Sequence, residues 1–230
     1  MRLHGLILWD LKFQAKYGFY LLYTVLSVIY LIVLSAIPAE WQQKAASILI
    51  FSDPSALGLF FMGAIVLLEK SQRVPCAFAV SPVKATEYVC SKVISLGAVS
   101  VIVAAIIAVF AKVNHVGFVL AGTAVSSVMF TLAGIIIATK IASLNQFIIA
   151  TVPIEIIGFV PAILYFLLNA DRIFGYYPPN TCMDLIAGRN PSVAGVIFTL
   201  VLMVILFIFA KRSVQKMWMS MGGVKFETNK

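Results

Sequence analysis

The 230-residue chain is 62% hydrophobic and only 11% charged, with a mean hydropathy of +1.03. Soluble domains carry about 25% charged residues, which excludes a water-soluble globule. Apolar runs of about 20 residues recur, enough to cross roughly 30 Å of hydrocarbon, and they are continuous rather than alternating, which excludes a β-barrel. The composition predicts an all-α integral membrane protein forming one transmembrane domain, residues 1–230.

The net charge of +8 does not indicate nucleic-acid binding, because the cations sit at the ends of the apolar runs. Cys76, Cys90 and Cys182 are too scattered for a disulfide framework or a zinc site, and His4 and His115 lack ligand-like neighbours. No metal site is expected.

Residues 1–16 do not resemble a cleavable signal, because no small-residue cleavage site closes the long apolar run that follows. Leu3, Ile7 and Leu11 recur at i, i+4, with Arg2, Asp10, Lys12 and Lys16 between them. This pattern predicts an amphipathic interfacial helix with Trp9 at headgroup depth; a floppy basic tail is the alternative.

Six spans are predicted, at 17–37, 55–68, 93–110, 117–139, 146–168 and 192–210. Asp53 is expected to cap the second, with Pro54 in its first turn. Between the second and third lies a polar segment, Glu69 to Lys92, with four cations and two prolines. Pro75 should break any helix running out of the second span. Cys76 to Val80 is too short to span and should lie along the surface. Ser81-Pro82 resembles an N-cap with proline at the first helical position, so the third helix is expected to start at Pro82. The result would be a helix-turn-helix knuckle; an ordinary solvated loop is the alternative.

Thirteen of the seventeen Lys and Arg residues fall on the side of the termini and this segment. The positive-inside rule then makes both termini and the segment cytoplasmic.

Glu155 is the acid placed well inside a span, flanked by Pro153 and Pro161. A charge at the bilayer centre costs about 2.5–3.5 kcal/mol, so Glu155 should face protein or water, either as a contact in a translocation path or as a protonated group bonded to another helix. The prolines should bend the fifth span. Gly122 and Ser126 form a small-x-x-x-small pair suited to close packing. Asp171-Arg172 and Asp184 through Arg189 read as a solvated outer rim, and Trp218 as part of an interfacial or disordered tail.

Glu69-Lys70 with Arg73, then Val80-Ser81-Pro82-Val83, Glu87-Tyr88 and Ser91-Lys92 resemble the first cytoplasmic loop of ABC type-2 transporter permeases. Tyr177-Pro178-Pro179-Asn180 with Asp184-Leu185 is similar to that family's re-entrant region after the fifth span. The resemblance covers nearly the whole chain. Within the family it is nearest to short permeases for drug export of the fluoroquinolone type. It implies that the 69–92 loop is a coupling helix docking into an ABC ATPase subunit, with Glu69, Lys70, Arg73, Val80, Ser81, Pro82, Glu87 and Tyr88 as contact or hinge positions. It also implies a second permease chain, most simply a homodimer, in the inner (plasma) membrane of a prokaryote, with membrane lipid around it. ATP and Mg would sit on the partner ATPase and no cofactor on this chain, which contains no G-x-x-x-x-G-K-[ST] phosphate loop. The short outer loops depart from relatives with large outer domains and argue for a small amphipathic substrate. Two other classes remain open: an ion-coupled secondary transporter using Glu155, and a membrane-embedded enzyme, for which no nucleophile-base set or paired carboxylates appear.

Overall fold

The computed structural model describes residues 2–168 and 172–221. Asp171 and the tail cations Lys225 and Lys230 lie outside the described residues. Ten α-helices follow one another, and among the described residues there is no strand. Six helical segments are long and apolar enough to cross a membrane. Helices suit that setting because hydrocarbon offers no partner for a free backbone N–H or C=O.

Helix α1 (Arg2–Lys16) turns into α2 (Phe19–Ala36) through Gly18, whose φ of +74° lies in the left-handed region that glycine adopts without steric cost. Pro38 forces Ile37 into extended backbone and ends α2. The second span is longer than the sequence predicts. Helix α3 (Ala39–Ser52), a single 3-10 turn at Pro54–Ala56 and α4 (Leu57–Ser71) together form a 33-residue candidate span. The Asp53 side chain does not cap it, contrary to expectation; it is hydrogen-bonded to Tyr30 of α2. The backbone closes the break, Ala56 N–H donating to Asp53 C=O at 2.9 Å.

Short helix α5 (Val74–Val80) precedes α6 (Ala85–Phe110). Then come α7 (Val116–Ala138), α8 (Leu144–Leu167), the short α9 (Pro178–Ile186) and α10 (Val193–Met221). Helix α8 runs unbroken through Pro153 and Pro161. Helix α10 continues about three turns past the predicted end of the last span, and this stretch is helical and packed: Val214, Met217 and Trp218 are buried.

Helix α7 is the axis of the bundle, touching α4, α6, α8, α9 and α10. Small residues permit the contact. A Cβ on Gly134 would lie 2.9 Å from the Gly58 carbonyl oxygen, so α4 and α7 pack backbone to backbone. Gly122 belongs to a different contact, against Leu185 and Ile186 of α9. Helices α2, α8 and α10 turn large apolar side chains outward, including Leu21, Ile149 and Val204, as lipid-facing helices do.

Helix α9 is buried along most of its length. Asp184 therefore does not stand on a solvated rim. It is 4% exposed and accepts a 3.0 Å hydrogen bond from the Tyr165 hydroxyl of α8. Asn180 and Thr181 tie the helix to the preceding turn by donating to Phe174 C=O (2.8 Å) and Gly175 C=O (3.0 Å). Burial pushes the Cys182 thiol up to about 12.

Candidate functional site: a buried charge cluster beneath a short helix

The polar residues of the predicted loop do not all face water. Lys92, near the start of α6, is 1% exposed, and its ammonium lies between Asp10 of α1, at 2.5 Å, and Glu69 of α4. Asp10 and Glu69 are equally enclosed. Tyr88 Oη donates to Glu69 Oε2 at 2.6 Å, and Ser91 Oγ donates to Asp10 Oδ2. Gln14 extends the seam, its Nε2 donating to Ser95 Oγ at 3.1 Å. Withdrawing an ion from water costs several kcal/mol, so such a group survives inside a protein only when its partners and hydrogen bonds are complete. Here one ammonium serves two carboxylates, and hydroxyls complete the acceptors.

Rings close the cluster. Trp9, Phe13 and Tyr88 have centroids 5.3, 5.9 and 5.1 Å from the Lys92 ammonium. A desolvated ammonium near ring faces gains cation–π attraction of about 2 kcal/mol. Helix α1 is thus held by Asp10, Phe13 and Gln14 at i, i+3, i+4. The sequence reading of Asp10 as a polar surface position is overturned, because the inward stripe of α1 is rotated away from Leu3, Ile7 and Leu11, which stay partly exposed.

Helix α5 rests on this assembly. Its start is a sharp turn at Arg73, φ +56°, stabilised by Arg73 N–H donating to Lys70 C=O. Pro75 sits in the first turn of α5, where its missing N–H does no harm, and the break falls before it. Phe78 points inward, with ring centroids 6.4 Å from Trp9, 5.6 Å from Tyr88 and 5.5 Å from Trp218 of α10. Cys76 Sγ adds a contact to Met221 C=O at 3.2 Å. The other face is open: Arg73, Ala77, Ala79 and Pro82 are exposed, and Val80 at the tip is 86% exposed.

Ser81-Pro82 does not start α6. Proline drives Ser81 into extended backbone, which ends α5, and the Ser81 hydroxyl donates back to Phe78 C=O at 3.0 Å. Helix α6 begins three residues later, where Glu87 Oε2 accepts the Lys84 N–H at 2.8 Å, one half of a capping box. Lys70 points opposite to Glu69. Its ammonium donates to Ala138 C=O (2.9 Å), Thr139 C=O (3.1 Å) and Ile141 C=O (2.7 Å), closing the carbonyl end of α7. Adjacent residues of α4 therefore bind two other helices, α6 and α7.

Of the eight residues expected at a partner contact, Arg73, Val80 and Pro82 are exposed. Ser81 and Glu87 are half-buried and shape the turns, Glu69 and Tyr88 are buried, and Lys70 is bonded to α7. Sequence reasoning missed Asp10, Phe78, Lys92 and Trp218 as members of the site. Val214, Met217 and Trp218 at i, i+3, i+4 carried a readable signal of packing; Asp10 and Lys92, 82 positions apart, did not.

Glu155 lies on α8, half-buried and apart from this cluster. On the same helix Ile157 and Gly158, with Met129, Phe130, Tyr177 and Leu202, line an apolar cavity of about 220 Å³ between α7, α8, α9 and α10, and Glu155, Pro153 and Pro161 are not among its lining. Among the described residues no group of His, Cys, Asp and Glu could hold a metal ion.

The family model for fluoroquinolones export permease proteins matches residues 1–220. Among curated proteins, the chain is similar to two fluoroquinolones export permease proteins of Mycobacterium tuberculosis, from strains CDC 1551 / Oshkosh and ATCC 25618 / H37Rv. Each is 29% identical over 99 residues, which is 43% of this chain and 42% of the relative, so the aligned part spans less than half of either protein. The six apolar helical segments and a match over nearly the full length lead to one conclusion: this chain belongs to the fluoroquinolones export permease family.

Proposed function

We propose that the chain is the membrane subunit of an ATP-driven exporter, and that α5 receives the motion of a separate ABC ATPase subunit. Phe78 carries this reading. One ring, on a short helix with an open outer face, packs on side chains of α1, α6 and α10, directly above the ion cluster that joins α1, α4 and α6. A push on the Val80 tip would reach four long helices through rigid contacts rather than through a loop. In this reading Arg73, Val80 and Pro82 touch the ATPase, Ser81 and Glu87 act as hinges, and Glu69, Lys70 and Tyr88 hold the platform. ATP and Mg belong to the partner. The charge asymmetry supports cytoplasmic termini, and the mycobacterial relatives support a prokaryotic inner membrane.

The substrate is a small amphipathic, aromatic molecule, in line with the fluoroquinolones for whose export the mycobacterial relatives are named. The cavity lined by Ile154, Ile157 and Gly158 of the helix that carries Glu155, with Phe130 and Tyr177 in its wall, is a candidate part of its path, and Pro153 and Pro161, which each remove a backbone hydrogen bond, would let α8 move. At about 220 Å³ it is smaller than the 300–1,000 Å³ typical of ligand pockets, so a second permease chain would complete it.

The test is co-expression with a candidate ATPase and ATP-dependent uptake of a fluorescent fluoroquinolone into inverted vesicles. Val80→Asp should lower uptake about tenfold or more, as loss of one interface anchor does, with membrane insertion and melting temperature unchanged. Uptake that needs no nucleotide and follows a proton gradient would sink the proposal in favour of an ion-coupled carrier.

A further inference from the structure

A second polar concavity lies away from α5, between the carbonyl end of α7 and the last turns of α10. It has a volume of about 450 Å³. Lys140 forms one wall; Arg212, Ser213, Lys216 and Ser220 form the other, with Phe209 below them. No carboxylate lines it. Among the described residues both ion pairs belong to Lys92, and none of these three cations has an acidic partner there.

Its depth follows from the helix. About 20 residues cross the hydrocarbon, so a span entered at Val193 leaves it near Arg212. Phe209 then faces acyl chains, Arg212 and Ser213 lie at the boundary, and Lys216 and Ser220 stand one and two turns farther out, all on one face of α10. Both walls are fixed. Val214 and Trp218 are buried on another side of α10, Met217 is buried at the edge of the concavity, and the three Lys70 hydrogen bonds pin the segment that carries Lys140. Three exposed cations border one space, with serine hydroxyls and a ring among its lining, a set that matches an anionic phosphate group carrying an apolar tail.

We propose that this concavity is a binding site for the headgroup of an anionic phospholipid. The phosphate lies among Lys140, Arg212 and Lys216, the serine hydroxyls donate to the headgroup oxygens, and the acyl chain runs down past Phe209. The inference does not depend on ATP coupling or on the drug path.

The test uses the full chain in neutral detergent and measures binding of phosphatidylglycerol by native mass spectrometry, with phosphatidylcholine and glycerol 3-phosphate as comparison probes. Phosphatidylglycerol should bind, and the other two should not compete with it. Substituting Lys140, Arg212 and Lys216 together by Gln should weaken binding by about a hundredfold, since each cation near an anionic lipid is worth roughly a factor of five. Lys44→Gln with Lys112→Gln, two exposed cations elsewhere, should leave it unchanged. Ser213→Phe keeps every charge but fills the space, and should weaken binding about tenfold through lost fit. Wild-type binding by the triple variant, or by Ser213→Phe, would overturn the proposal. Equal affinity for glycerol 3-phosphate would also overturn it, by making the site one for a soluble phosphate.

Discussion

Two short helices flank the bundle, and they are built in opposite ways. Each lies beside a buried carboxylate that accepts a tyrosine hydroxyl, Glu69 from Tyr88 near α5 and Asp184 from Tyr165 in α9. There the likeness stops. In α9 most side chains are buried and the helix fills the space between α3, α7, α8 and α10. In α5 only Pro75 is fully buried; Phe78 and Cys76 anchor the helix, while Ala77, Ala79 and Val80 face out. A helix with most of its surface covered seals; a helix held along one edge presents the other. The same tyrosine–carboxylate device thus supports a plug at one place and a lever at another.

Chemical reactivity should separate the two by the widest margin. Cys182 sits in the core of α9, and at pH 8 a thiol with a pKa of about 12 is ionised to about one part in ten thousand, against roughly a quarter for an ordinary thiol. In a variant whose only thiol is Cys182, maleimide labelling should be at least about a thousandfold slower than in a variant whose only thiol comes from Val80→Cys. Raising the pH should accelerate Cys182, because the thiolate is the reacting form. Comparable rates would mean that α9 is not a plug.

Next is the cluster beneath α5. Lys92→Met leaves Asp10 and Glu69 buried without a cation, and removal of one partner from such a pair costs about 3–5 kcal/mol. Thermal unfolding in detergent should show it. Adding Asp10→Leu and Glu69→Leu to the same chain should restore most of the loss, because apolar residues of similar volume often replace buried ions at no cost. A Lys92→Met chain less than about 1 kcal/mol below wild type would mean that water reaches the cluster.

Gly122→Ala addresses the seating of α9. The added methyl would lie 2.8 Å from Leu185 and Ile186 and 2.9 Å from the Ile186 backbone nitrogen, which cannot step aside alone. Overpacking of this kind costs about 1–3 kcal/mol. Wild-type melting would show that α9 shifts freely against α7.

What the sequence made legible follows from how local each signal is. Six apolar segments are readable because crossing hydrocarbon is a demand on consecutive residues. The short helix after Arg73 is readable because Pro75 and Pro82 punctuate it. The start of α6 was misplaced because Ser81-Pro82 carries a strong local signal; the competing one, Glu87 three residues after Lys84, is also local and could have been preferred. The break at Asp53-Pro54 looked like a helix end because Asp is usually a cap, but here Tyr30 takes its side chain. The Asp10–Lys92–Glu69 cluster was out of reach, since nothing in single residues says which charges meet across 82 positions. Asp184 was misread for the same reason: its partner Tyr165 is 19 residues away, on another helix.

The smallest expected effect tests the lever most directly. Ala79 lies on the open face of α5, and surface substitutions away from packed features change stability by less than about 0.5 kcal/mol. Ala79→Glu should therefore melt with wild type while lowering ATP-dependent uptake, because a carboxylate would be buried at the proposed contact. A stability loss above about 1 kcal/mol would mean that this face is already covered in the chain by itself, leaving no surface for a partner. A silent result in both assays would place the contact elsewhere on the knuckle, at Arg73 and Pro82, and leave Phe78 holding a helix that nothing pushes from the Ala79 side.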